Sequence, residues 1–136
     1  AKYAEWKLWF EKFIPHFNPE VVLIGHSMGG AFLAKYLAEE AFPKKILGTF
    51  IVAAPYKTDE GRPLVEFVPP VSLEKLEQQG GKIFLYYSKD DPVVAFKELD
   101  EYQKTLKSAA PRTFDDRGHF INQESFSELV EDIRNL

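Results

Sequence analysis

The stretch "VVLIGHSMGGAFLAKYLAE", which begins at Val21, constrains the fold more than any other part of the sequence. Val21 to Ile24 is an unbroken apolar run that ends at a glycine, which is typical of a short strand buried on both faces. From Met28 onward the apolar residues return at helical spacing. A strand that turns directly into a helix is typical of a parallel α/β sheet.

The rest of the chain continues this alternation of strands and helices. Hydrophobic spacing and turn residues predict these further elements: helices over 2–14 and 28–41, a strand over Ile46–Ala54, a short helix from an N-cap at Ser72 to Gly80–Gly81, a strand over Lys82–Tyr87, a helix over 95–107, a weaker strand over Arg112–Phe114 and a helix over 122–135. The predicted fold class is therefore α/β, a three-layer sandwich in which a mostly parallel sheet of about four strands is flanked by helices. We expect a single domain over residues 1–136.

Composition narrows the classes of partner. The 136 residues carry a net charge of −4, and lysines and arginines are scattered among acids, which disfavours nucleic-acid binding. The absence of cysteine excludes disulfides, thiolate metal sites and a cysteine nucleophile.

No apolar run reaches the roughly 18 residues of a membrane span, and no signal peptide is recognisable, so we expect a cytoplasmic protein. The histidines lack ligand spacing, so no metal or cofactor is predicted.

The sequence Gly25-His26-Ser27-Met28-Gly29 fits the G-x-S-x-G pattern of a nucleophile elbow. The pattern predicts a strained turn that lifts the Ser27 side chain clear of the sheet, with both glycines removing collisions. Ser27 would then start a helix, and the N–H of Met28 would be an oxyanion donor. The competing interpretation is a tight strand-to-helix turn in which Ser27 acts only as an N-cap.

A nucleophilic serine needs a base, and the base needs an orienting carboxylate. In this architecture the chain order is serine, acid, histidine, and His119 is the only histidine after Ser27. We predict Asp91 as the acid, because Pro92 keeps it extended beyond the preceding strand. Asp90 is interpreted as a turn-forming neighbour. The remaining candidates are interpreted as surface or local turn residues: His16, His26, Asp115 and Asp116.

Four stretches together resemble one family. They are "VVLIGHSMGGAFLAKYLAE", "AAPYKTDEGRP", "SKDDPVV" and "RGHFINQESFSELVEDI", and they run through nearly the whole chain. The chain resembles the α/β-hydrolase superfamily and, within it, the small serine hydrolases of the retinoblastoma-binding protein nine and YdeN type. The resemblance implies Ser27 as nucleophile, Asp91 as acid and His119 as base. It also implies esterase-type activity on small acyl substrates, without a cofactor.

The sequence departs from the family pattern at its front. Family members carry a further βαβ unit before the first helix, including the loop that supplies a second oxyanion N–H. The resemblance therefore implies that the domain is incomplete at its N-terminal side relative to the family. The strand over Val21–Ile24 would then be an apolar sheet edge. We expect this edge to pair with a second copy of the chain or with a missing N-terminal segment.

The segment from Lys57 to Pro70 is interpreted as irregular chain, and irregular stretches of this length are often functional. We predict that it forms a pocket wall over Ser27, with an apolar lining suited to an acyl chain. The predicted pocket residues are His26, Leu64, Val65 and Phe67.

Two further functions compete with the hydrolase. One is a catalytically silent binding protein on a hydrolase scaffold. The other is an acyltransferase, because the catalytic residues do not determine which acceptor takes the acyl group.

Overall fold

The computed structural model describes residues 1–59 and 62–136, with the following helices and strands. The helices are α1 Tyr3–Phe13, α2 Met28–Glu39, α3 Glu74–Gln79, α4 Glu98–Thr105 and α5 Ser127–Arg134, and a 3-10 turn over Ile14–His16 follows α1. The strands are β1 Glu20–His26, β2 Lys45–Val52, β3 Thr58–Asp59, β4 Arg62–Pro63, β5 Lys82–Ser88 and β6 Ala110–Phe114.

The main sheet has four parallel strands in the order β1-β2-β5-β6. The predicted α/β fold class with a parallel sheet is thus confirmed. Strands β3 and β4 form a separate antiparallel pair. Because the four strands are parallel, the segments that follow them all leave the sheet at the carboxyl ends of the strands. Ligand sites of open α/β sheets lie at those ends.

The core forms two layers, one on each face of the sheet. Neighbouring residues of one strand point to opposite faces, so Ile51 packs with α1, α2, α3 and α4 whereas Phe50 packs with α5. Leu85 and Phe84 repeat this alternation on β5. Four helices therefore cover one face and α5 covers the other, which is the predicted three-layer arrangement.

Two helices begin later than their hydrophobic spacing predicts. Helix α4 begins at Glu98 instead of 95, because the preceding backbone turns to donate the N–H groups of Val93 and Val94 to Asp91. Helix α5 begins at Ser127 instead of 122. In the segment before α5, Gln123 accepts a hydrogen bond from Arg117, which holds this segment against the loop that carries Arg117.

Two smaller expectations are corrected. The N-cap of α3 is Leu73, and the hydroxyl of Ser72 accepts only a 3.3 Å hydrogen bond from the N–H of Glu74. The stretch interpreted as irregular contains the short strands β3 and β4.

The free edge of β1 is apolar, as expected from the sequence. Within the described ranges β1 pairs with β2 alone, and the side chain of Ile24 is 50% exposed. Helix α1 also presents apolar side chains to solvent, namely Leu8, Trp9 and Phe13. An unpaired apolar strand edge is a surface on which another strand can be added.

Candidate active site

Ser27 occupies a strained turn between β1 and α2. Its φ of 53° and ψ of −124° lie outside the regions that L-residues ordinarily adopt. The turn is held because the N–H of Ser27 donates to the carbonyl of Val52, at 2.8 Å. Ser27 is the N-cap residue of α2 by position, but its side chain makes no capping hydrogen bond with the helix, which an N-cap serine ordinarily does. The strain is instead what a nucleophile elbow requires.

The glycines around Ser27 have different roles. A Cβ at Gly25 would lie 2.6 Å from the carbonyl oxygen of Gly29 and 2.7 Å from the Cα of Gly30. A Cβ at Gly29 would meet no atom within 4 Å, so the expectation that Gly29 removes a collision is wrong. Gly30 takes that role, because a Cβ there would lie 2.6 Å from the Cβ of Ala54. The close approach of helix and strand thus depends on Gly25 and Gly30.

We expect Gly25→Ala to lower the free energy of unfolding by about 3 kcal/mol, because its methyl group collides with backbone that has no room to move. The matched control is Gly29→Ala, whose methyl group faces open space. Alanine also favours a helix interior over glycine by roughly 1 kcal/mol. Urea unfolding of both variants measures the difference. Equal stability of the two variants would contradict this account of the turn.

Asp91 and His119 are in direct contact. The Nδ1 of His119 lies 2.8 Å from Oδ2 of Asp91, and their side chains are 8% and 1% exposed. The other carboxylate oxygen accepts the N–H groups of Val93 and Val94 at 2.8 and 2.9 Å. An ionised carboxylate only accepts, so the Nδ1 of His119 donates, and neutral imidazole then keeps a free lone pair on Nε2. That tautomer is the one a general base needs.

The elbow and the histidine are also in contact. The Nε2 of His26 donates to the carbonyl oxygen of His119 at 2.8 Å, and the two ring centroids are 4.7 Å apart. His26 directly precedes Ser27, so this contact places the backbone of the elbow beside the backbone of His119. Among the described residues, no hydrogen bond joins the Ser27 hydroxyl to the His119 ring. The sequence also predicts that His26 lines the pocket, and its ring nitrogen binds the loop that carries His119.

The N–H of Met28 precedes the hydrogen-bond ladder of α2. The first N–H groups that bond back to the carbonyl of Ser27 are those of Gly30 and Ala31, at 2.9 and 3.1 Å. The first N–H groups of any helix lack such an intrahelical acceptor. The Met28 N–H is thus one of those without an intrahelical acceptor, and its role as an oxyanion donor stays a prediction.

Asp90 has a role that sequence reasoning missed. Its Oδ1 accepts hydrogen bonds from the Ser88 hydroxyl at 2.5 Å and from the Gly118 N–H at 2.8 Å. These donors hold the pKa of Asp90 below its usual value. The Ser88 hydroxyl also accepts the N–H of Arg117, at 2.9 Å. The end of β5 is thus tied to the loop before His119, a contact across 28 residues of sequence that no local pattern reveals.

The other predicted pocket residues lie in different surroundings. Leu64 and Phe67 are buried in the core, and the ring of Phe67 contacts Tyr3 and Trp6 of α1. Val65 is 83% exposed. Glu60 and Gly61 of this stretch lie outside the described residues.

One part of the stretch does line a cavity. A volume of about 280 Å³ opens between this segment and α4, with Tyr56, Lys57, Val68 and Pro69 among its lining residues. Ser27 does not line this particular cavity.

The residues that the structure describes include no helix long and apolar enough to cross a bilayer. Among the same residues, no group of three or more histidine, aspartate or glutamate side chains is arranged to hold a metal ion.

A four-stranded parallel sheet, a strained serine elbow and a buried Asp–His pair at its carboxyl edge define the α/β-hydrolase class. The family model described as "Serine hydrolase" matches residues 1–136, and the chain belongs to this family. No curated protein sequence matches the chain.

Solved structures show the same fold. The YdeN gene product of B. subtilis superposes with a TM-score of 0.82 at 20% identity, over 99% of this chain and 74% of that one. A solved structure from work on carboxylesterases of the thaumarchaeon Nitrososphaera gargenis matches with a TM-score of 0.70 at 14% identity, over 99% of this chain and 71% of that one. The esterase domain of a Rhodothermus marinus protein matches with a TM-score of 0.68 at 18% identity, over 98% and 66%. The chain therefore spans about two thirds to three quarters of these proteins.

Proposed function

We propose that this serine hydrolase is an esterase for small acyl substrates and works through an acyl-enzyme on Ser27. The observation that carries the proposal is the buried 2.8 Å hydrogen bond between Asp91 and His119, beside the strained elbow. The esterase domain and the carboxylesterase among the structural matches support ester substrates over amides.

The proposed reaction follows from the positions of these groups. As the Ser27 hydroxyl attacks the ester carbonyl, Nε2 of His119 takes its proton, and Asp91 stabilises the resulting imidazolium. The N–H of Met28 donates to the oxyanion. The intermediate collapses, the C–O bond to the alcohol breaks, and His119 returns the proton to the alcohol. Water then attacks the acyl-enzyme by the same proton transfers and releases the acid.

A fluorophosphonate probe tests this proposal directly, because an activated serine displaces fluoride and keeps the phosphonyl group. The expected result is one adduct per chain, found by intact-mass measurement and placed on Ser27 by peptide mapping. Heat-denatured protein is the control and takes no adduct. An unlabelled native chain, or an adduct on another serine, would contradict the proposal. A chain that binds esters without turnover would favour a silent binding protein instead.

We also propose that the free β1 edge pairs with the β1 edge of a second copy. The support is the exposed Ile24 on strand β1, whose outer edge pairs with no strand of the described residues. We expect sedimentation of the 136-residue chain to show a dimer, and Ile24→Lys to shift it to monomer, because a charged side chain opposes edge pairing. Val65→Lys, at an exposed apolar residue outside the sheet, is the matched control. A monomeric parent chain would contradict this pairing.

A further inference from the structure

The residues that directly precede Ser27 and Asp91 both bind the backbone around His119. His26 donates from Nε2 to the His119 carbonyl, and Asp90 accepts the Gly118 N–H, each at 2.8 Å. One contact therefore lies on each side of the His119 Cα. We propose that His26 and Asp90 are positioning residues that hold His119 in place for proton transfer. This inference rests on the proposed function.

The backbone around His119 needs such support, because its conformation is unfavourable. Gly118 and Phe120, the two neighbours of His119, have φ values of 52° and 57°. This left-handed region is open to glycine but disfavoured for a bulky residue such as Phe120. The ring of Phe120 packs against Phe114 and Phe126, and its N–H donates to the carbonyl of Arg117 at 3.0 Å. His26 and Asp90 add a hydrogen bond to the carbonyl of His119 and one to the N–H of Gly118.

Asp90 is itself held on a rigid support. The buried Ser88 hydroxyl, at the end of β5, donates to Asp90 and accepts the N–H of Arg117. The Ser88 hydroxyl and the Gly118 N–H lower the pKa of Asp90, and a charged acceptor makes a stronger bond to the Gly118 N–H than a neutral one would. The carboxylate thus links the strand that leads to Asp91 with the loop that carries His119.

His26 joins the other two parts of the site. It directly precedes Ser27, so its bond to the His119 carbonyl couples the backbone of the nucleophile to the backbone of the base. Loosening either contact changes the distance between reacting groups without removing a group that binds substrate. We therefore expect kcat to fall while KM stays nearly constant.

The variants His26→Phe and Asp90→Ala remove each contact, and His26→Gln and Asp90→Asn retain a donor or an acceptor at the same place. Steady-state hydrolysis of p-nitrophenyl acetate is measured for all four. We expect the first two to lose roughly tenfold to 100-fold in kcat, since small displacements of reacting groups have effects of this size. Gln and Asn should restore most of the loss. Asp115→Asn is the matched control, because Asp115 is an exposed carboxylate of the same loop that pairs with Lys89.

Thermal unfolding of each variant separates a positioning role from loss of the fold. If His26→Phe and Asp90→Ala fold and retain the kcat of Asp115→Asn, the inference is overturned. It is also overturned if folded His26→Gln and Asp90→Asn are as slow as the variants they should rescue. A separate variant tests the proposed function itself. If that function is wrong, Ser27→Ala keeps the activity of the parent chain, whatever the His26 and Asp90 variants show.

Discussion

Ser27→Ala is expected to lower kcat for p-nitrophenyl acetate by about 10⁴-fold to 10⁶-fold, as does loss of the nucleophile in other serine hydrolases. Alanine fits the elbow but offers no oxygen for attack, so the acyl-enzyme does not form. The backbone at residue 27 is strained, with φ of 53°, and alanine adds no bulk to this turn. We therefore expect the fold to persist. Initial rates and fluorophosphonate labelling measure the effect.

Ser72→Ala is the matched control for this experiment, because Ser72 is an exposed serine whose hydroxyl only accepts a 3.3 Å hydrogen bond from Glu74. It should keep full activity and full labelling. If Ser27→Ala and Ser72→Ala label and hydrolyse equally, the hydroxyl of Ser27 is not the nucleophile, and the proposed esterase mechanism is wrong.

Asp91→Asn is expected to lower kcat by roughly 10⁴-fold, through the tautomer of His119. The Oδ1 of Asp91 accepts two backbone N–H groups, from Val93 and Val94, so the oxygen of asparagine would take that side. Its NH₂ group would then face Nδ1 of His119 and donate to it. The ring proton would move to Nε2, and His119 could no longer accept the proton of Ser27.

Asp116→Asn is the control for this substitution, because the Asp116 side chain is 90% exposed and lies three residues before His119. It should leave kcat unchanged. NMR of the imidazole nitrogens of both variants would show directly which nitrogen carries the proton. An active Asp91→Asn variant with the proton still on Nδ1 would mean that Asp91 is not the orienting carboxylate.

Much of the fold was predictable because its signals are local. The apolar run at Val21–Ile24, the helical spacing after Met28 and the G-x-S-x-G pattern around Ser27 are all readable from neighbouring residues. The choice of Asp91 over Asp90 also rested on a local cause, the extended backbone before Pro92. The observed contact between Asp91 and His119 agrees with that choice.

The features that sequence reasoning missed depend on contacts between distant segments. Gly29 matches the motif, yet Gly30 is the residue that lies against Ala54, two residues after the end of β2. Phe67 was assigned to a pocket because it is apolar in a connecting segment, but α1 packs over it. His26 resembled a local turn residue, and only the fold shows that it binds the His119 carbonyl.

The strand order has a consequence for how this site is assembled. Ser27 follows β1 at one margin of the sheet, whereas His119 follows β6 at the opposite margin. With strands about 4.8 Å apart, the loop after β6 must reach back across roughly 14 Å to meet the elbow. The proposed nucleophile and the proposed base can therefore meet only when all four strands keep their places in the sheet. Hydrolase activity would then also indicate that the whole sheet is intact.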